Sequence, residues 1–221
     1  MRKLSRSSTA ASSSSTNGAP PPPSPSAAIP ASLLDPQLPL PRLFVFDLDY
    51  TLWPFWVDTH PTPPLKTTSS RTAATDRYGE EFAFYPDVPQ ILQFLTRAAA
   101  PSGPIKLGVA SRTSATALAR ELLKILHVPV GEGAGEKAKR AGDVFDAGME
   151  IYPGSKIRHF EALQKRTGVA YEDMLFFDDE SRNMETERLG ITMRLIRDGL
   201  TWAEVEKGVE EWRKRRGYKK N

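Results

Sequence analysis

Asp47 and Asp49 end a short apolar run, Leu43-Phe44-Val45-Phe46, and stand two residues apart. On a strand, residues i and i+2 point to the same side. Both carboxylates therefore arrive together where a strand stops. Two like charges that close are unfavourable unless a cation lies between them or one carries a proton. Such a pair suits a magnesium-assisted reaction in which one acid attacks and the other handles a proton. Three more polar groups follow apolar runs. Ser111 and Arg112 follow 105–110, and Lys156 closes Tyr152-Pro153-Gly154-Ser155-Lys156. Asp178 and Asp179 follow 174–177.

The elements that would position these groups alternate from residue 42 onward. The stretches 43–46, 105–110, a short run before Tyr152, 174–177 and 191–196 read as buried strands. Helical spacing puts Val88, Ile91, Leu92 and Leu95 on one face behind Asp87 as N-cap. A second helix starts at Thr113 or Ser114 and turns Leu118, Leu122, Ile125 and Leu126 inward. A third is opened by Ser155, buries Ile157, Phe160 and Leu163, and is closed by Gly168. Thr201 and Glu204 have the spacing of a capping box, ahead of Trp202, Val205, Val209 and Trp212. This order predicts an α/β fold, a three-layer doubly wound parallel sheet. Ligands of such sheets bind beyond the carboxyl ends of the strands, where the polar groups lie.

Between 53 and 85 the prolines break any long helix. There 65–70 and 81–85 are expected to pair as a small β-hairpin flap around 76–79, with no large cap domain. The glycine- and charge-rich stretch 131–148 reads as a surface loop. Its Gly131, Gly133 and Gly135 match a dinucleotide loop only superficially.

At 221 residues the chain suits one domain with extensions. It divides into a Ser/Pro/Ala-rich disordered tail over 1–40, a folded domain over 41–212 and a basic tail over 213–221. The absence of cysteine excludes disulfides and every cysteine-nucleophile mechanism. The formal charge is only +3 and the basic excess sits at the two ends, so no nucleic-acid substrate is expected. No apolar run approaches the roughly 20 residues of a membrane span. The expected location is the cytoplasm. The Arg213-Lys214-Arg215-Arg216 run suggests a nuclear alternative, and the acid-poor start with Arg2, Lys3 and Arg6 an organellar one. The oligomeric state is open.

The four groups and their order resemble the haloacid dehalogenase superfamily of phosphatases. The stretch from Val45 to His60, which contains Asp47-Leu48-Asp49-Tyr50-Thr51-Leu52-Trp53-Pro54-Phe55-Trp56, is similar to the eukaryotic magnesium-dependent phosphatase family almost residue for residue. Ala110-Ser111-Arg112-Thr113-Ser114, Ile151-Tyr152-Pro153-Gly154-Ser155-Lys156 and Phe176-Phe177-Asp178-Asp179-Glu180 extend the resemblance over about residues 42 to 205. It implies that Asp47 attacks phosphorus and becomes an aspartyl phosphate. Asp49 then protonates the leaving group and later deprotonates water. It places Mg²⁺ on the Asp47 side chain, the Asp49 carbonyl and Asp179, with Asp178 orienting ligand waters behind them. Leu48, Ser111, Arg112 and Lys156 are assigned to substrate binding.

The implied substrates are aryl phosphates, phosphotyrosine or sugar phosphates. An alternative is a phosphoserine-directed phosphatase of the polymerase-tail type. Tyr50 and the Trp53-Pro54-Phe55-Trp56 run argue against it. A non-catalytic phosphate-binding regulator is the other. His60, His127 and His159 are assigned to packing or surface. Of Trp53, Phe55 and Trp56, one is a candidate to border the substrate.

Overall fold

Leu43, Phe44, Val45 and Phe46 are all fully buried, which requires a strand covered on both faces. They form β1 (Leu43–Phe46), the centre of a five-stranded parallel sheet. The other strands are β2 (Lys106–Ser111), β3 (Gly148–Ile151), β4 (Met174–Asp178) and β5 (Thr192–Leu195), in the order β3-β2-β1-β4-β5. The computed structural model describes residues 28–101, 103–129 and 138–218. Residues 1–27, most of the expected tail, and 130–137, which include the first seven residues of the expected loop, lie outside these.

Strand alternation divides the core. Phe44, Phe46, Leu175 and Phe177 face one apolar cluster, shared with helices α1 (Val88–Arg97), α2 (Thr116–Ile125) and α4 (Trp202–Arg215). Leu43, Val45, Met174 and Phe176 face the other, under Phe160 and Leu163 of α3 (Lys156–Thr167). The three layers match the expected doubly wound architecture. The outward carbonyls of edge strand β3 are covered from α2. Arg120 donates to Met149 O at 2.8 Å and Thr116 to Ile151 O at 2.9 Å.

Several details differ from the sequence reading. Asp87 does not cap α1; its carboxylate accepts the Trp202 N–H at 3.1 Å and ties the start of α4 to α1. The α2 helix begins at Thr116, because Thr113 Oγ1 accepts the Ala115 N–H and closes a turn first. The box at α4 is half formed. Thr201 accepts the Glu204 N–H, but the Glu204 side chain is drawn to Arg194 and Lys207. The expected hairpin is a three-stranded antiparallel sheet of 66–67, 73–75 and 81–83, with 73–75 in the middle. Asp76 organises its tight turn by accepting the Tyr78 and Glu80 N–H groups.

The ordered body begins before residue 41 and ends after 212. Ala31–Leu34 is a one-turn helix, and Leu33 and Leu40 are buried in the core. Arg213, expected in a basic tail, belongs to α4 and is buried. Its guanidinium donates to Pro39 O, Ser32 O and Leu38 O at 2.9 to 3.3 Å. Three orphan carbonyls of an irregular segment thus share one cation. Residues 138–148 are not a free loop either. Residues 138–140 pair with 127–129, and Ala141, Phe145 and Ala147 are buried.

Candidate active site

The carboxyl ends of β1, β2 and β4 and the start of α3 meet on one side of the sheet, around a cavity of about 310 Å³. Asp47 is the first residue past β1, and its N–H is still in the ladder, bonded to Phe177 O at 3.0 Å. The chain then turns sharply. Leu48 O accepts the N–H groups of Thr51, Leu52 and Trp53, and Tyr50 adopts a left-handed conformation at φ 51°. This turn points Asp49 back into the cavity beside Asp47. Gly154, at φ 134°, bends the chain into α3, Ser155 caps the helix through the Ile157 N–H, and Lys156 is its first residue.

Lys156 is the hub. It is almost fully buried, with Nζ 2.6 Å from Asp47 Oδ1 and 2.9 Å from Asp178 Oδ2, and it also donates to Ala110 O. Burial alone would lower its pKa. Asp47 and Asp178 outweigh that and hold the ammonium protonated, above its ordinary value. Burial pushes the Asp47 carboxyl well above the usual range. Lys156 opposes the shift while Asp178 and Asp49 add to it. Asp179 is raised to about 6, by burial first and by Asp178 next.

Asp178 is fully buried, and its oxygens are committed to protein donors. Asn183 Nδ2 lies 2.9 Å from each, and the Glu180 N–H 2.8 Å from Oδ1. Asp179 lines the cavity. One oxygen each of Asp47, Asp178 and Asp179 falls within 4.8 Å of the others. Three carboxylates against one ammonium leave an excess of two negative charges when all are ionised, which a divalent cation balances. All-oxygen donors suit Mg²⁺. Asp47 and Asp179 would hold it from their side chains and Asp178 supports them from behind.

Asp49 lines the same cavity, and its Oδ1 accepts from Trp53 Nε1 at 2.7 Å and from the Val57 N–H at 3.3 Å. Burial raises its pKa to about 6, with the Trp53 and Val57 hydrogen bonds opposing. Ser111 and Arg112 are also brought to the cavity. Ser111 Oγ accepts the Thr113 N–H at 3.4 Å, and Arg112 donates to Asn183 Oδ1 at 3.3 Å. Leu48 is not among the lining residues. Its side chain is in the core and its carbonyl is consumed by the turn.

Some contributors carry no expected role: Asn183 fixes Asp178 and Arg112, and Glu180 and Arg182 form an ion pair of 2.6 Å at the rim. Trp53, a candidate to border the substrate, reaches Asp49 instead. No residue spacing marks Asn183 as a partner of Arg112. Trp56, already a candidate to border substrate, lies on the cavity wall and is 52% exposed. The cavity wall here is formed by Trp56, Asp58 and Thr59, ahead of the small three-stranded sheet.

Fold and site together place this chain among phosphatases of the haloacid dehalogenase superfamily. Residues 39–215 match the acid phosphatase family, and the chain belongs to that family. It is 42% identical to human magnesium-dependent phosphatase 1 over 178 residues, covering 79% of this chain and 89% of the human protein. It is also 42% identical to an HAD-like hydrolase superfamily protein of Schizosaccharomyces pombe over 157 residues, 71% of this chain and 86% of the yeast protein. The chain is a Mg²⁺-dependent phosphatase.

Proposed function

We propose that this chain hydrolyses phosphate monoesters through an aspartyl phosphate on Asp47, with aryl phosphates, phosphotyrosine included, as its preferred substrates. The observation that carries the mechanism is the shared cavity. Asp47 and Asp49 open on it together, facing Lys156, Ser111 and Arg112. An Asp47 oxygen attacks phosphorus as the bond to the leaving oxygen breaks, and Asp49 gives that oxygen its proton. Asp49 then takes a proton from water, the water oxygen attacks phosphorus, and the bond to Asp47 breaks. Phosphate leaves, Asp47 is again a carboxylate, and Asp49 again carries its proton. A pKa of about 6 suits a group that must do both.

Lys156 holds Asp47 in place and offers positive charge to the phosphoryl oxygens. Ser111 and Arg112 add fixed donors. Bound Mg²⁺ neutralises charge on those oxygens.

Trp56 supports the aryl preference. A half-exposed indole on the wall, edge-on to Tyr50 with ring centroids 5.2 Å apart, offers a leaving-group ring a flat apolar partner. No described helix is long and apolar enough to cross a membrane. The test is kcat/KM with Mg²⁺ for phenyl phosphate and a phosphotyrosine peptide against sugar phosphates and a phosphoserine peptide. Aryl substrates should lead by about tenfold, the worth of one good ring contact. Equal values, or a lead for sugar phosphates or phosphoserine, would overturn the preference.

A further inference from the structure

The segment after Asp49 winds back on it. Trp53 is fully buried, its ring stacked on Phe55 at 5.4 Å and on Phe84 at 6.1 Å. That stack fixes the indole edge, so Nε1–H meets Asp49 Oδ1 at 2.7 Å. The Val57 N–H reaches the same oxygen at 3.3 Å. No described residue bonds Oδ2. One oxygen of the acid is thus held by two donors and the other is left to the cavity.

We propose that Trp53 is a positioning residue for Asp49: its buried indole N–H secures one carboxylate oxygen so that the other, Oδ2, is the one that exchanges the proton. A proton cannot sit on Oδ1 without displacing an N–H donor, so it belongs on Oδ2. The two donors also fix the plane of the carboxyl group, and proton transfer depends on that orientation. The bland account is that Asp49 only satisfies a buried indole. It predicts that losing the N–H affects stability and leaves the pattern of turnover across substrates unchanged.

The inference rests on Asp49 as the general acid, and the experiment separates the two ideas. Wild type, Trp53→Phe and Asp49→Asn are compared on kcat/KM for p-nitrophenyl, phenyl and alkyl phosphates. A good leaving group departs without a proton; a poor one needs it. The loss in Trp53→Phe should be about tenfold greater for phenyl and alkyl phosphates than for p-nitrophenyl phosphate, part of the roughly 10²–10⁴-fold that an acid contributes. Asp49→Asn should steepen the series further. A uniform loss, or none, in Trp53→Phe beside a steepened Asp49→Asn overturns the positioning role alone. An unsteepened Asp49→Asn overturns the acid assignment itself. Trp53→Leu answers the same question if the Phe variant does not fold. Failure of both to fold, read by near-ultraviolet circular dichroism, makes Trp53 structural and ends the proposal.

Discussion

The Lys156 ammonium stands 2.6 Å from Asp47 Oδ1, and the lysine is almost wholly withdrawn from water. A charge pair that dry is not there for net stability, because desolvation largely cancels the attraction. Its value lies in holding Asp47, the proposed nucleophile, still. Lys156→Met keeps the length of the stem and removes the charge. kcat should fall about 10²-fold or more, the usual loss for one fixed donor at a reacting group. Unchanged kcat and KM would remove Lys156 from the mechanism.

Asp47→Asn keeps the shape of the side chain and removes its nucleophilicity. Turnover should drop below about a tenth of wild type. Burial and the neighbouring acids disfavour the Asp47 charge, so the amide relieves a cost. In Mg²⁺-free buffer at pH 8 the variant should therefore unfold no earlier than wild type. Added Mg²⁺ should raise the melting temperature of wild type more than that of the variant. A variant that melts earlier without metal would contradict the charge balance described above.

His159 makes the acid stability limb testable. It is fully buried under the Tyr152 ring, with centroids 4.2 Å apart, and Nε2–H donates to Tyr152 O at 3.0 Å. Nδ1 has no partner. Burial lowers its pKa to about 4; nearby Lys156 and Arg112 also lower it, while the Tyr152 hydrogen bond and Glu150 oppose. The unfolded value is higher, about 6.5. Between the two the unfolded chain holds a proton that the folded chain lacks. Stability is therefore full above about pH 6.5 and falls toward pH 4. The loss between pH 7 and 5 from this group is about 2 kcal/mol. Urea midpoints of His159→Phe should show a shallower decline over that window than wild type. Parallel declines would refute the buried neutral imidazole.

Arg213→Met should release the segment 28–40 without touching chemistry. The three carbonyls of Ser32, Leu38 and Pro39 lose their common donor, at the end of the sheet opposite the cavity. Unpaired buried backbone groups cost about 1–3 kcal/mol. Limited proteolysis should cut within 28–40 faster than in wild type, with kcat for p-nitrophenyl phosphate unchanged. Equal cleavage rates would show that the apolar contacts of Leu33 and Leu40 hold the segment alone.

Much of the frame was legible because burial leaves a periodic trace. The five strands, the faces of α1 and α4, and the Ser155 and Gly168 caps follow from apolar spacing and local backbone preference; on α3, Phe160 and Leu163 are buried as expected, but Ile157 is only half-buried and Lys156 and His159 are buried instead. Local chemistry misled where a polar side chain had a distant competitor. Asp87 was placed at the helix beside it, yet it bonds Trp202, 115 positions away. Arg213 read as tail charge, and three carbonyls bury it. Neither partner leaves a mark in spacing.

The sequence by itself determined the order of elements and the presence of Asp47, Asp49, Ser111, Arg112, Lys156, Asp178 and Asp179 at strand ends or helix starts, because hydrophobic period and capping are local. Only the tertiary structure decided which of those groups touch. It gave Lys156 to Asp47 and Asp178 at once, tied Asp49 to Trp53, and turned Leu48 into the core. Hydrogen bonds and charges are settled by distances across strands far apart in the chain, and those distances exist only after the sheet is assembled.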